Sequence, residues 1–403
     1  MKRDDDRAKA PTGSSTRAVH AGYNERAPGQ PVVSPIVPAA TFFTEPIPSG
    51  EVLYTRYGTN PNHKVLAEKL AALEHAEAAI ALASGNAATA LSLLTRVGAG
   101  DHIVAQRELY GGTLDLLTKE FPRLGIETTF IDWNGWEAAL RPNTRVLFME
   151  APVNPTLRVP DVRTAAGIAR AHAIPLFIDA TFGTPINFRP IEHGATVVIH
   201  SATKYFGGHS DLTAGVVAGP AAVIEAVRQK LKSFGPVLDP HAAWLLERGI
   251  KTLAVRMEQH NRNGLLIARR LEAHPAVERV FYPGLPSHPD YEVARELLAG
   301  FGGMVSFIVR GGDDAALRFC ARLQLVSVAP SLGGVESLVS LPRFTSHASL
   351  SREERHQRGI GDGFVRVSLG IEDASDLWAD LDQALQPEAI AVEQRPASAE
   401  VRA

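Results

Sequence analysis

The chain is short of the features that mark several functional classes. It has one cysteine, Cys320, among 403 residues, so no intramolecular disulfide framework can form and a thiolate metal site is disfavoured. That cysteine lies on an apparent helix face, Ala315-Ala-Leu-Arg-Phe-Cys320-Ala, and reads as a small buried apolar residue. The formal net charge is only −3, which supplies no basic field for nucleic acid. No apolar run approaches the length of a membrane span. The N-terminus, Met1-Lys-Arg-Asp-Asp-Asp-Arg7, lacks the apolar core of a signal peptide. The expectation is a cytoplasmic, soluble protein with no nucleic-acid or membrane partner. The 14 histidines show neither HExxH nor Cys/His ligand spacing, so no metal is expected. No Gly-x-Gly-x-x-Gly follows a strand. Gly98-Ala-Gly100-Asp-His-Ile lacks the third glycine and precedes a strand, which argues against a dinucleotide site.

What is present reads as an α/β protein. Hydrophobic residues make up 45% and charged residues 21%, ordinary for a globular chain, and the length exceeds what one core usually serves. Residues 1–60 read as a polar tail, disordered to about residue 16, and then an extended arm. That arm is rich in proline (Pro28, Pro31, Pro35, Pro38, Pro46, Pro48) and suited to packing on a neighbouring subunit. Residues 61–260 alternate short apolar runs with helical segments. Strands are expected at 79–83, 102–105, 128–131, 146–149, 175–178, 196–199 and 215–218. Helices are expected from Asn60 onward and at 113–121 and 162–172, which together imply a mainly parallel sheet covered on both faces. One long helical stretch is expected at about 240–273. Residues 261–386 read as a smaller α+β domain with strands at 303–309, 326–328 and 364–368 and a last helix at 374–385. Residues 387–403 read as a loose tail.

Ligand chemistry in such a sheet belongs at the carboxyl ends of the strands. Val197-Val-Ile-His-Ser-Ala-Thr-Lys204-Tyr-Phe-Gly-Gly delivers a lysine at a strand end, behind the hydroxyls of Ser201 and Thr203. An isolated strand-end lysine is usually structural. A buried one can lose much of its ordinary proton affinity, with a pKa of roughly 10.4 when free, and form imines with carbonyl groups. Asp179 ends the apolar run Ile174–Ile178, one strand–helix–strand unit earlier, and reaches the same rim. Ser84-Gly85-Asn86 turns from a strand into an Ala-rich helix whose amino end suits a phosphate. Tyr110 follows the next strand and can stack on a flat ligand. Tyr54 and Arg56 close the arm with donors for a phosphate. Arg366 faces away from Val365 and Val367 on a later strand and can fork onto a carboxylate. Together these groups match the needs of pyridoxal 5'-phosphate. Lys204 would carry the aldehyde, and Asp179 would keep the pyridine nitrogen protonated.

Three strings, Ser201-Ala-Thr-Lys204-Tyr-Phe-Gly-Gly-His-Ser210, Ser331-Leu-Gly-Gly-Val-Glu-Ser337 and Arg366-Val-Ser-Leu-Gly-Ile-Glu-Asp373, resemble the cystathionine γ-synthase/γ-lyase family of pyridoxal-phosphate enzymes. The likeness runs from about Thr16 to Leu385. It implies the type I fold of pyridoxal-phosphate-dependent transferases and chemistry at Cγ of cystathionine or an O-acylhomoserine. Methionine γ-lyase, cystathionine β-lyase, O-acylhomoserine sulfhydrylase and a pyridoxal-phosphate-binding regulatory protein are the alternatives. The resemblance implies that Lys204 forms the imine and moves protons, that Asp179 pairs with the ring nitrogen and that Tyr110 stacks on the ring. Gly85, Asn86, Ser201 and Thr203 would hold the phosphate. Tyr54 and Arg56 would reach it from a neighbouring subunit of a homotetramer, and Asn154, Ser331 and Arg366 would bind the substrate carboxylate. The chain departs from the family pattern at four points. Asn86 stands where methionine is usual, and Thr55 where serine is frequent. Pro330 stands where many cystathionine-handling relatives have glutamate, and Gly112 where methionine γ-lyases usually carry cysteine.

Overall fold

A computed structural model describes residues 13–22, 28–47, 49–345, 348 and 350–386. The apolar runs expected as strands assemble into one seven-stranded sheet. Its members are β1 (Ala78–Leu82), β2 (His102–Gln106), β3 (Glu127–Ile131), β4 (Thr144–Glu150), β5 (Leu176–Asp179), β6 (Val197–Ser201) and β7 (Gly215–Gly219). Their spatial order is β1-β7-β6-β5-β4-β2-β3. Strands β3, β2, β4, β5 and β6 pair in parallel, and β7 is antiparallel to both β6 and β1. Helices cover both faces, so the strands need no polar side. Val104, Leu147, Ile178 and Val198 enter one core, while Ile103, Val146, Phe148, Phe177 and Ile199 enter the other.

The second sheet contains β8 (Val277–Phe281), β9 (Met304–Val309), β10 (Ser327–Val328), β11 (Leu338–Ser340) and β12 (Phe364–Ser368), in the order β10-β11-β12-β9-β8. It is antiparallel except for the β10–β11 pair. Val305, Phe307, Val365 and Val367 pack against Phe319, Leu377 and Leu381 of the covering helices. Cys320 is buried, as its sequence context implied, and burial pushes its thiol up to about 11.

Several expectations need correction. Residues 14–16 belong to a helix, Ser14–His20, and are not disordered. Burial of Ala18 and hydrogen bonds from Lys69 Nζ to the Ala18 and Val19 carbonyls hold this helix in place. The 240–273 stretch is two helices, Pro240–Ile250 and Leu253–Glu272. The first ends where Gly249 meets the Gly207 carbonyl, too close for any Cβ, and Arg256 donates to the Gly249 carbonyl at 2.8 Å. Helix 113–121 starts earlier, at Gly111, passes through a wider turn at Leu116–Glu120 and runs on as a 3-10 turn, Phe121–Leu124, which Gly125 ends at a positive φ of 73°. Two strands had no sequence expectation, β8 with its charged Glu278 and Arg279, and the three-residue β11. Residues 1–12 and the expected tail at 387–403 lie outside the described residues. Among the described residues, no helix is long and apolar enough to cross a membrane.

Among its described residues after Gly22, the arm contains one short 3-10 turn, Thr55–Tyr57, and a single bridge between Thr41 and Tyr54. Side-chain amides tie it down: Asn62 accepts from the Val37 N–H at 2.9 Å, and Asn60 donates to the Val37 carbonyl at 2.8 Å.

Candidate active site

The carboxyl ends of β4, β5 and β6 deliver Glu150, Asp179 and Ser201 to one rim, as a parallel sheet predicts. The second sheet approaches that rim with the Ser331 loop and with β12. Because Val365 and Val367 turn into their own core, Arg366 between them faces the rim. A cavity of about 720 Å³ lies between the two sheets. Gly85, Asn86, Tyr110, Asn154, Asp179, Ser201, Thr203, Lys204, Ser331 and Arg366 all line it.

Lys204 sits in a tight turn after β6 that the buried Tyr205 and Phe206 anchor. Its Nζ donates to Ser331 Oγ at 2.8 Å. Burial, aided by the charge of Arg366, lowers its pKa to about 8, so part of the amine is neutral near pH 7. Asp179 Oδ1 accepts both the Thr181 N–H at 3.0 Å and the Thr181 hydroxyl at 2.6 Å. Thr181 Oγ1 in turn accepts the Ser201 N–H at 2.8 Å, which locks the ends of β5 and β6 together. Burial pushes the Asp179 carboxyl upward against these hydrogen bonds. A cationic ring nitrogen beside it would hold it ionised.

On the opposite wall, Arg366 Nη1 donates to Asn154 Oδ1 at 2.9 Å and Nη2 to the Ser331 carbonyl at 3.1 Å. Burial lowers this guanidinium to about 10, which leaves it charged at neutral pH. Among the described residues its buried Nε has no hydrogen-bond partner, which suits it to a carboxylate. Ser331 holds φ at +95°, a backbone state that only a constrained site keeps in a non-glycine residue.

The phosphate-binding expectation has a geometric basis. Ser84 caps the helix Gly85–Leu94 by accepting the Ala87 N–H at 3.1 Å, so the helix amino end opens on the cavity. A Cβ on Gly85 would sit 2.8 Å from Ser201 Cβ, so only glycine lets this helix approach β6 so closely. Thr203 Oγ1 accepts the Ala214 N–H at 3.0 Å, fixing its hydroxyl at the same edge. The residues present therefore fit pyridoxal phosphate: a perturbed lysine, a buried carboxylate, a helix amino end and an unpartnered arginine donor.

The profile of the Cys/Met metabolism PLP-dependent enzyme family matches residues 15–386. The chain belongs to this family. It is similar to the O-succinylhomoserine sulfhydrylase of Pseudomonas aeruginosa, with 43% identity over 86% of each chain. It is 45% identical to the cystathionine gamma-lyase of Bacillus subtilis over 81% of this chain and 87% of that one. Among solved structures, cystathionine gamma-lyase from Lactobacillus plantarum complexed with L-serine superposes with a TM-score of 0.88. The two are 36% identical, and the match covers 93% of this chain and 98% of that one. Membership makes the chain a pyridoxal-phosphate-dependent enzyme, and its sheet architecture is that of fold type I.

Two expected residues do not enter this chain's own cavity. Exposed Arg56 donates to the Lys232 carbonyl at 2.8 Å and lies over the rings of Tyr54 and Tyr57. Sequence reading also missed lining residues, chiefly Glu150 and Thr181. Glu150 carries the same signal as Asp179, a carboxylate that closes an apolar strand. Thr181 shows its role only through the turn that folds it back on Asp179.

Proposed function

We propose that the chain makes or breaks bonds at Cγ of a homoserine-derived or sulfur amino acid, with Lys204 as its proton carrier. The observation that carries this reading is the Lys204–Ser331–Arg366–Asn154 array facing Asp179 across one cavity. Arg366 binds the substrate carboxylate through its free Nε, steadied by Asn154 and Ser331. Lys204, partly neutral near pH 7, removes the Cα proton and returns protons further along the chain. Tyr110 stands at the mouth as the stacking ring, and Gly85, Asn86, Ser201 and Thr203 receive the phosphate. Pyridoxal phosphate, when bound, supplies the electron sink that makes these protons acidic. Asp179 would keep its ring nitrogen cationic.

The outer lining favours an acylated homoserine over cystathionine. Pro330, Leu332, Phe344 and Thr345 form it, and none offers a carboxylate for a distal ammonium group. One relative named a sulfhydrylase and another named a lyase support the reaction class while leaving the direction to experiment. Tyr54 and Arg56 complete the cavity of a neighbouring copy in a homotetramer. Support comes from their absence from the lining of their own cavity and from the exposed Val32, Phe43 and Ile47 along the arm.

The test is a product assay of the pure holoenzyme. It is offered O-acetyl- or O-succinylhomoserine with cysteine or sulfide, and separately cystathionine or methionine. Cystathionine or homocysteine from the acyl ester supports the reading. Turnover of cystathionine alone overturns the acyl preference, and no turnover of any of them overturns the function.

A further inference from the structure

We propose that Glu150 is a positioning residue that holds Tyr110 and Asn154 in fixed relation across the cavity. The inference rests on the reading of the site given above. Glu150 ends β4 and is buried. Its Oε2 accepts the backbone N–H of Tyr110 at 2.8 Å, and its Oε1 accepts the backbone N–H of Asn154 at 2.8 Å. One carboxylate thus pins the stacking ring's backbone and the loop that carries the carboxylate-binding amide.

The contact extends further. Asn154 accepts from Arg366, Arg366 donates to the Ser331 carbonyl, and Lys204 donates to the Ser331 hydroxyl. A single hydrogen-bonded path therefore runs from Tyr110 through Glu150 to the reactive amine. Glu150 also lies opposite Asp179 in the β4–β5 register, a poor place for a second buried carboxylate if packing were its only task. Two divergent N–H donors explain why a carboxylate is there. An amide offers one acceptor oxygen and would turn its own N–H₂ toward the other donor.

The test compares wild type with Glu150→Gln and Glu150→Asp, the latter keeping the carboxyl group but too short to span both donors. In each variant the holoenzyme should lose roughly 10- to 100-fold in kcat/KM, the scale of one buried donor left unpaired. KM should rise as well as kcat fall, because Asn154 and Tyr110 serve different steps. The circular dichroism of the bound-cofactor band should change while its absorbance persists. In the cofactor-free chain, amide hydrogen exchange should speed up together in the peptides that contain Tyr110 and Asn154. Wild-type kinetics, dichroism and exchange in both variants overturn the proposal. So does a lower melting temperature with those three readouts unmoved, or failure of both variants to fold, since either marks a structural role. A wild-type protein that binds no cofactor overturns the reading of the site instead, and the exchange experiment still reports on Glu150.

Discussion

The Nζ of Lys204 and the Oγ of Ser331 stand 2.8 Å apart, so the end of the parallel sheet and a loop of the antiparallel sheet meet at the reactive amine. Ser331 keeps this contact at φ +95°. Ser331→Ala should retain the strained backbone and lose the acceptor. Ser331→Gly should lose the same acceptor and relieve the backbone. The glycine variant is expected to be the more stable of the two by about 1 kcal/mol in urea unfolding. Both should titrate Lys204 below its wild-type value, because a hydroxyl that accepts from the ammonium favours the charged form. Equal stability of the two variants would count against strain at this position.

Lys204 also sets a trade between stability and function. Its folded pKa of about 8 lies below the ordinary lysine value, so the folded chain binds this proton less readily than the unfolded chain. The destabilisation is complete below pH 8 and fades as pH rises toward 10.5. Lys204→Met removes it. The cofactor-free variant should therefore be more stable at pH 7, by about 1–3 kcal/mol. Its turnover should fall by at least about 10²- to 10⁴-fold, the range for a lost proton-transfer group. Denaturant melts of the apoprotein and the product assay check the two halves separately.

A third expectation concerns pH. Burial, reinforced by the neighbouring Asp179, raises Glu150 to about 8, and burial raises Asp179 as well. Glu150 then holds a proton in the folded chain that the unfolded chain has released between its ordinary value and about 8, so its contribution to stability falls as pH rises across that range. The histidines whose proton affinity burial lowers (His63, His102, His193, His260 and His288), and Lys69 and Lys204, each lowered to about 8, act oppositely in the same range. Comparison with Glu150→Gln cancels them. The stability of cofactor-free wild type relative to that variant should fall between pH 6.5 and 8, by up to about 1.4 kcal/mol per pH unit. Differential scanning calorimetry of both proteins at pH 6.5, 7.2 and 8 reads the difference, and a difference that rises or stays flat would refute the assignment.

How much of this was legible in the sequence follows from the range of the interactions. Lys204 and Asp179 stood out because Asp179 closes an apolar strand and Lys204 follows the end of another by three residues, and a parallel sheet sends such ends to one rim. The face of Arg366 was readable from Val365 and Val367 on either side. Glu150 closes an equally apolar strand, yet its function depends on Tyr110, 40 positions away in the chain. The break between Ile250 and Leu253 was hidden for the same reason, since Gly249 meets Gly207 only in the folded state. Strand β11 has three residues, too few for a period to show.

Gly112 gives the sharpest steric test. An added Cβ there would lie 2.6 Å from Tyr110 Cε1 and 2.9 Å from Asn86 Nδ2. Both neighbours line the cavity mouth, and Gly112 itself has no positive φ, so space rather than backbone conformation demands glycine. Gly112→Ala must therefore move the Tyr110 ring, and kcat/KM should fall about tenfold or more through loss of ring placement. Asn86→Ala removes only the second of the two conflicts. The double variant should recover part of the loss, because the closer contact, with Tyr110, persists. Full recovery would show that Asn86 is the decisive neighbour, and no loss in Gly112→Ala would show that the Tyr110 ring has no fixed place to lose. Gly112→Cys carries the same Cβ plus a sulfur. It should do worse than alanine here, because Asn86 already occupies the space beside Gly112.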